Sequence, residues 1–195
     1  MKQNRENPFF ETYRTPFGTP PFDQIETEQY EPAFDEGIWQ LDEEVRAIAD
    51  NTELPTFENT IIALERSGKL LDKVISAFFN VLNAEADDEM MDISQRVSPK
   101  LSESSNNIYL NEQLFARVKS VYDRKDELHL PMEDARLLEK TFEAFCARGA
   151  ALGPEEKEKY RKLSSELSLL SLTFDQNALK DKNRYELLLT KEDEL

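Results

Sequence analysis

From Phe34 onward, apolar side chains recur every third or fourth residue. That spacing returns a side chain to the same face of an α-helix, whereas a half-buried strand needs a period of two. One stripe is Phe34, Ile38, Leu41, Val45 and Ile48, with Glu43, Glu44 and Arg46 on the other side. A second is Phe57, Ile61, Leu64, Leu71, Ile75, Phe78 and Leu82. Gly68 stands where that stripe should have its next member, and either admits a close helix contact or breaks the helix. A third helix is expected over 88–106, with Met90, Ile93, Val97 and Leu101 inward and Pro99 kinking or splitting it. Further helices run from an Asn111 N-cap through Leu114, Val118 and Val121, and from Pro131 through Leu138, Phe142 and Phe145 to Gly149. After Gly153-Pro154 a last stripe, Tyr160, Leu163, Leu167, Leu170 and Phe174, keeps a 3-4-3-4 spacing expected to face the core.

The expected fold is therefore all-α: an antiparallel bundle of about six helices, because long helices joined by short loops pack against their neighbours in the chain. Residues 1–25 stand apart. Pro8, Pro16, Gly18, Pro20 and Pro21 forbid a helix there, and Phe9, Phe10, Phe17 and Phe22 imply an extended arm pinned to the bundle. The bundle is read as 26–181. Residues 182–195 read as a linker, with Tyr185 to Thr190 as a short strand, and the end at Leu195 reads as a cut. The close of the chain on Glu192-Asp193-Glu194-Leu195 is read as a coincidental brush with a retention signal.

A net charge of -16 repels phosphate backbones and anionic lipid surfaces, which argues against nucleic acid and membrane as partners. No apolar run approaches the length of a membrane span, and no signal peptide precedes Asn7-Pro8. Cys146 is the one cysteine, so no disulfide forms within the chain; among Phe142, Ala144 and Phe145 it is expected to be a buried, inert thiol. Trp39 and Tyr30 are expected to pack in or against the core.

The chemistry that is missing constrains function most. A histidine-pair zinc centre needs two imidazoles one helical turn apart plus a third ligand, and this chain holds one histidine, His129, read as an ordinary loop or helix-end residue. No nucleophile elbow or phosphate-cradling glycine cluster is present. The acidic runs Asp87-Asp88-Glu89 and Glu155-Glu156 sit at expected helix starts, where carboxylates complement the helix dipole. No catalytic, cofactor-binding or metal-binding residue is assigned in this chain.

Several stretches, in order, resemble one family. They are Asn7-Pro8, Thr15-Pro16-Phe17-Gly18-Thr19-Pro20-Pro21-Phe22-Asp23-Gln24-Ile25, and Tyr30-Glu31-Pro32-Ala33-Phe34. Pro55-Thr56-Phe57-Glu58-Asn59-Thr60-Ile61, Ala63-Leu64-Glu65-Arg66-Ser67-Gly68, Tyr109 to Arg117, Val121-Tyr122-Asp123 and Glu166 to Phe174 continue the series. Together they are similar to the start of bacterial peptidyl-dipeptidases, in the zinc metallopeptidase family of thimet oligopeptidase, neurolysin and oligopeptidase A. The resemblance implies a mostly helical protein of two lobes around a deep channel that admits short, unfolded peptides. It implies zinc held by H-E-x-x-H and a later glutamate in the other lobe, none of which lies in residues 1–195. The chain would be the N-terminal lobe, one wall of the channel, inactive alone. Its partners would be the absent catalytic domain and short peptides, and its place the cytoplasm, or the periplasm if a leader was removed. The peptidyl-dipeptidase branch rests mainly on residues 15–25. The alternatives are an oligopeptidase A-like endopeptidase lobe, or a stand-alone helical module whose apolar groove binds a partner helix.

Overall fold

A computed structural model describes residues 7–85 and 87–186. Among them the chain is all helix and turn, with no strand. Six long helices carry the fold: α1 Tyr30–Ala49, α3 Lys69–Glu85, α4 Asp88–Tyr109, α5 Glu112–Tyr122, α6 Met132–Ala147 and α7 Pro154–Arg184, with the turn-long α2 Ala63–Arg66 between α1 and α3.

The starts and stops follow local chemistry. Thr56 accepts from the Asn59 N–H at 3.0 Å, while Asn59 Oδ1 accepts from the Thr56 N–H at 2.8 Å, a reciprocal cap on a π-helical turn, Phe57–Ile62, that leads into α2. Asn111 Oδ1 accepts from the Leu114 N–H and opens α5. Asp87 does the same for Met90 and opens α4, so one member of the Asp87-Asp88-Glu89 run is a cap. Gly68 marks a break. It sits at φ +75, a conformation side chains rarely adopt, and its N–H donates to Glu44 Oε2 at 2.7 Å. Pro99 neither splits nor ends α4, which runs unbroken for 22 residues. Its flanks are held by α1 on one side and α7 on the other, contacts that offset the roughly 3 kcal/mol a mid-helix proline costs.

Side-chain pairings give the helix directions. Tyr30 and Phe34 meet Phe78 while Gly37 meets Leu71, so α1 and α3 are antiparallel. Phe115 stacks on Phe145 and Tyr122 on Phe142, so α5 and α6 are antiparallel too. Across the fold, Glu31 pairs with Arg96 and Asp42 with Ser104, so α1 and α4 run parallel. The core has two parts strung along α1. Phe9, Phe34, Phe78, Ile93 and Val97 fill one, and Val45, Ile61, Leu114, Leu138 and Phe145 fill the other.

The arm is shorter in reach than an extended chain. Pro8–Phe10 and Pro16–Gly18 each form a 3-10 turn. Phe9 is fully buried and Lys73 Nζ donates to the carbonyls of Phe9 at 2.8 Å and Glu11 at 2.7 Å. Phe17 and Phe22, by contrast, face solvent, so half of the expected pins do not engage. At the other end α7 continues to Arg184, past the expected boundary at 181, because Lys182 and Arg184 in its last turn suit the negative pole of the helix. The expected strand over 185–190 lies mostly outside the described residues, and Tyr185 and Glu186 follow α7 without regular structure.

Candidate functional site on the outward face of the last helix

Helix α7 is built as the sequence suggests. Pro154 occupies its first turn, where a missing N–H costs nothing, and Glu156 Oε2 accepts from the Gly153 N–H at 3.1 Å. Its orientation is the surprise. The apolar stripe expected to face the core faces solvent: Leu163, Leu167, Leu170 and Phe174 are 54%, 64%, 60% and 72% exposed. The inward face is mainly polar. Asn106 Nδ2 donates to Ser164 Oγ at 2.8 Å, and Arg161 Nη1 donates to Asn107 Oδ1 at 2.9 Å. Gln176 Nε2 donates to Ser94 Oγ at 3.2 Å, and its Oε1 accepts from Gln95 at 3.1 Å. Near the start of the helix, Lys157 is buried and donates to the Leu110 carbonyl at 3.3 Å and to Glu112 Oε1 at 3.1 Å.

The cause lies in α4. Its side toward α7 carries Ser94, Ser98, Asn106 and Asn107. Leucines laid on that surface would take the α7 partners from Asn106 and Asn107, at about 1–3 kcal/mol for each polar group left buried and unpaired. Matching polar groups on α7 avoid that cost, and the leucines are turned outward. Between the two helices a cleft of about 390 Å³ remains, lined by Ser98, Ser105, Ser168, Tyr160 and Arg148, whose guanidinium lies 4.2 Å from the Tyr109 ring centre.

A second cavity, about 730 Å³ and open, lies between the arm and helices α1 and α3. Lys73 Nζ stands 3.7 Å from the Tyr13 ring centre there. Burial, and then the neighbouring Tyr30, push the Tyr13 hydroxyl up to about 12, and burial lowers the Lys73 ammonium. Both side chains fasten the arm to the bundle.

The residues singled out in the sequence fall apart from one another. His129 is exposed in a turn, with φ 46. Among the described residues no group of three or more His, Cys, Asp or Glu side chains is placed to hold a metal ion. Cys146 is exposed rather than buried: Phe145 fills the core, and the next residue is carried 100° round the helix, away from it. Trp39 is 58% exposed for the same reason, one step past the inward Ile38, while Tyr30 is buried as expected. Among the described residues no helix is long and apolar enough to cross a membrane.

Sequence reasoning missed Arg117. It is buried, with no carboxylate partner among the described residues, and donates to the carbonyls of Asn51 and Glu53 and to Asn59 Oδ1 at 3.1 Å, pinning the loop before the π-helical turn. An arginine one residue before Val118, on the apolar face of α5, was the available signal.

No family model matches the chain. Curated relatives do. Dipeptidyl carboxypeptidase of Escherichia coli (strain K12) is 43% identical over 173 residues, 89% of this chain and 25% of that protein. Its counterpart in Salmonella typhimurium is 39% identical over the same shares. Oligopeptidase A of Escherichia coli is 24% identical over 181 residues, 93% of this chain and 27% of that protein. The chain spans about a quarter of the length of the curated relatives it matches. By sequence, then, nearly the whole of this chain is similar to one part of dipeptidyl carboxypeptidase and, more distantly, of oligopeptidase A.

Proposed function

We propose that this chain is the helical, non-catalytic lobe of a zinc-dependent peptidyl-dipeptidase, where it forms one wall of a channel that admits short, unfolded peptides. The observation that carries this is the 43% identity to a dipeptidyl carboxypeptidase across 89% of the chain. The corresponding figure for an oligopeptidase A is 24%, which favours release of C-terminal dipeptides over internal cleavage. The one histidine of the sequence, His129, is exposed in a turn, and a histidine-pair zinc centre would need a second imidazole from outside this chain. Zinc, its histidine pair and the general base would come from the rest of the protein, and the setting would be the cytoplasm.

A wall works by excluding folded substrates, which requires that it not deform. The two cores strung along α1 and the arm fastened by Lys73 supply that stiffness. The test is activity of the full-length protein and of residues 1–195 alone on short peptides with free C-termini, with and without a chelator. Chelator-sensitive dipeptide release by the full-length protein alone is the expected result. Zinc-dependent cleavage by the isolated chain overturns the lobe assignment, and internal cleavage by the full-length protein overturns the peptidyl-dipeptidase branch.

A further inference from the structure

We infer that the outward stripe of α7 is covered, in the whole protein, by a helix from the part of the peptidase outside this chain. This rests on the reading of the chain as one lobe of a larger enzyme, and adds which surface joins the two parts and what shape of element it takes.

The spacing names the occupant's shape. Leu163, Leu167, Leu170 and Phe174 repeat at 4-3-4, a seam about 16 Å long on one side of the helix. That is the pattern a second helix fills by setting its side chains between these, at a shallow crossing angle. A strand, with its period of two, does not match it.

The charge pattern says that the face is not meant for water. The chain is 33% charged, yet from Leu163 to Leu179 only Glu166 and Asp175 carry charge. Over its whole length α7 has seven Lys/Arg against six Asp/Glu, while the chain as a whole carries -16. The helix that presents leucines outward lacks the net negative charge that α1, α4 and α6 carry. Rolling α7 to bury its leucines against α4 is barred by the hydrogen bonds of Asn106, Gln95 and Ser94 to its inner face.

The other occupants fit less well. A peptide substrate is held in a concavity, and this face is a convex helix with the serine-lined cleft on its opposite side. A second copy would bring two chains of charge -16 together. The stripe exposes on the order of 500 Å², short of the ~800 Å² per partner of a standard stable interface. A lobe joined covalently to the rest of its protein needs no such area, because the tether raises the effective concentration of the docking face.

The experiment compares α7 in two settings. The full-length protein and the 195-residue chain are each made with Cys146→Ser and Leu170→Cys, labelled with N-ethylmaleimide, and read at position 170 by peptide mass spectrometry. Hydrogen exchange of the 163–174 amides in the unaltered proteins gives a second reading that needs no variant. Both rates are expected to be at least tenfold slower in the full-length protein. Equal rates in the two settings overturn the inference. So does a 195-residue chain that sediments as a dimer in which position 170 is protected, because the occupant is then a second copy. Dipeptide release by the same full-length sample separates the two readings: an active enzyme with equal rates sinks only the docking face, and protection without dipeptide release sinks only the assigned activity.

Discussion

Substituting Gly37→Ala should destabilise the protein, although alanine is the better helix former. Gly37 lies within α1 where it crosses α3. A Cβ added there would stand 3.0 Å from the Leu71 Cα, 3.1 Å from its nitrogen and 3.2 Å from its Cβ. Carbon pairs prefer about 3.5–4.0 Å, so α3 would have to withdraw by roughly half an ångström. Two of the three opposing atoms are backbone and cannot swing aside. The withdrawal loosens the edge-on contact of Phe34 with Phe78, whose ring centres are 5.3 Å apart, and of Tyr30 with Phe78 at 5.1 Å. Against this, alanine gains about 1 kcal/mol in helix propensity. Overpacking a well-filled core costs about 1–3 kcal/mol, so the net loss is expected to be about 1 kcal/mol. Urea unfolding followed by circular dichroism measures it. The midpoint should fall with the slope unchanged, and Tm should drop by about 2–4 °C. A Gly37→Ala protein as stable as the parent, or more so, would refute the close-approach account, and helix propensity would be the term that decides at this site.

Four other outcomes follow from the same structure. Arg117→Met should cost about 2–4 kcal/mol, because it strips the Asn51 and Glu53 carbonyls of their side-chain donor and removes one of the donors to Asn59 Oδ1, and a loss under about 0.5 kcal/mol by urea titration would contradict this. For Glu31, the hydrogen bond from Arg96 holds the carboxyl below its ordinary range, so its charged form stabilises the fold at neutral pH and that contribution fades as pH falls through the depressed folded value. Glu31→Gln should therefore cost up to about 1 kcal/mol at pH 7 and progressively less as pH falls through the depressed folded value, whereas Asp42→Asn should stabilise at pH 7, since burial raises that carboxyl and its charged form is disfavoured in the folded state. A pH-independent difference for Glu31→Gln would mean that the ion pair contributes nothing. Finally, Cys146 in the native chain should react with a thiol reagent as fast as in urea to within about tenfold, and strong native protection would place it back in the core.

The Asn111 cap, the stop at Gly149 and the start at Pro154 could all be read from the sequence. Each is an interaction between residues a turn apart, so a few neighbouring letters suffice to specify it. The stripes of α1, α3, α5 and α6 were legible for a related reason: each is the only apolar face its helix has, and it turns to the core whatever the neighbour. Gly68 left two outcomes open, and the answer depended on Glu44 and Leu41, more than twenty residues away. Pro99 was expected to kink or split α4, and the split does not occur, with α1 and α7 packed against the helix. For α7 the pattern named the right residues and the wrong side. Its periodicity fixes that Leu163, Leu167, Leu170 and Phe174 share a face, but periodicity contains no statement about what lies opposite. That was decided by the serines and asparagines of α4, which accept a polar partner at lower free-energy cost than an apolar one. The sequence alone thus determined where helices form and which side chains travel together. Tertiary structure decided which face meets which, because burial is a property of pairs of surfaces.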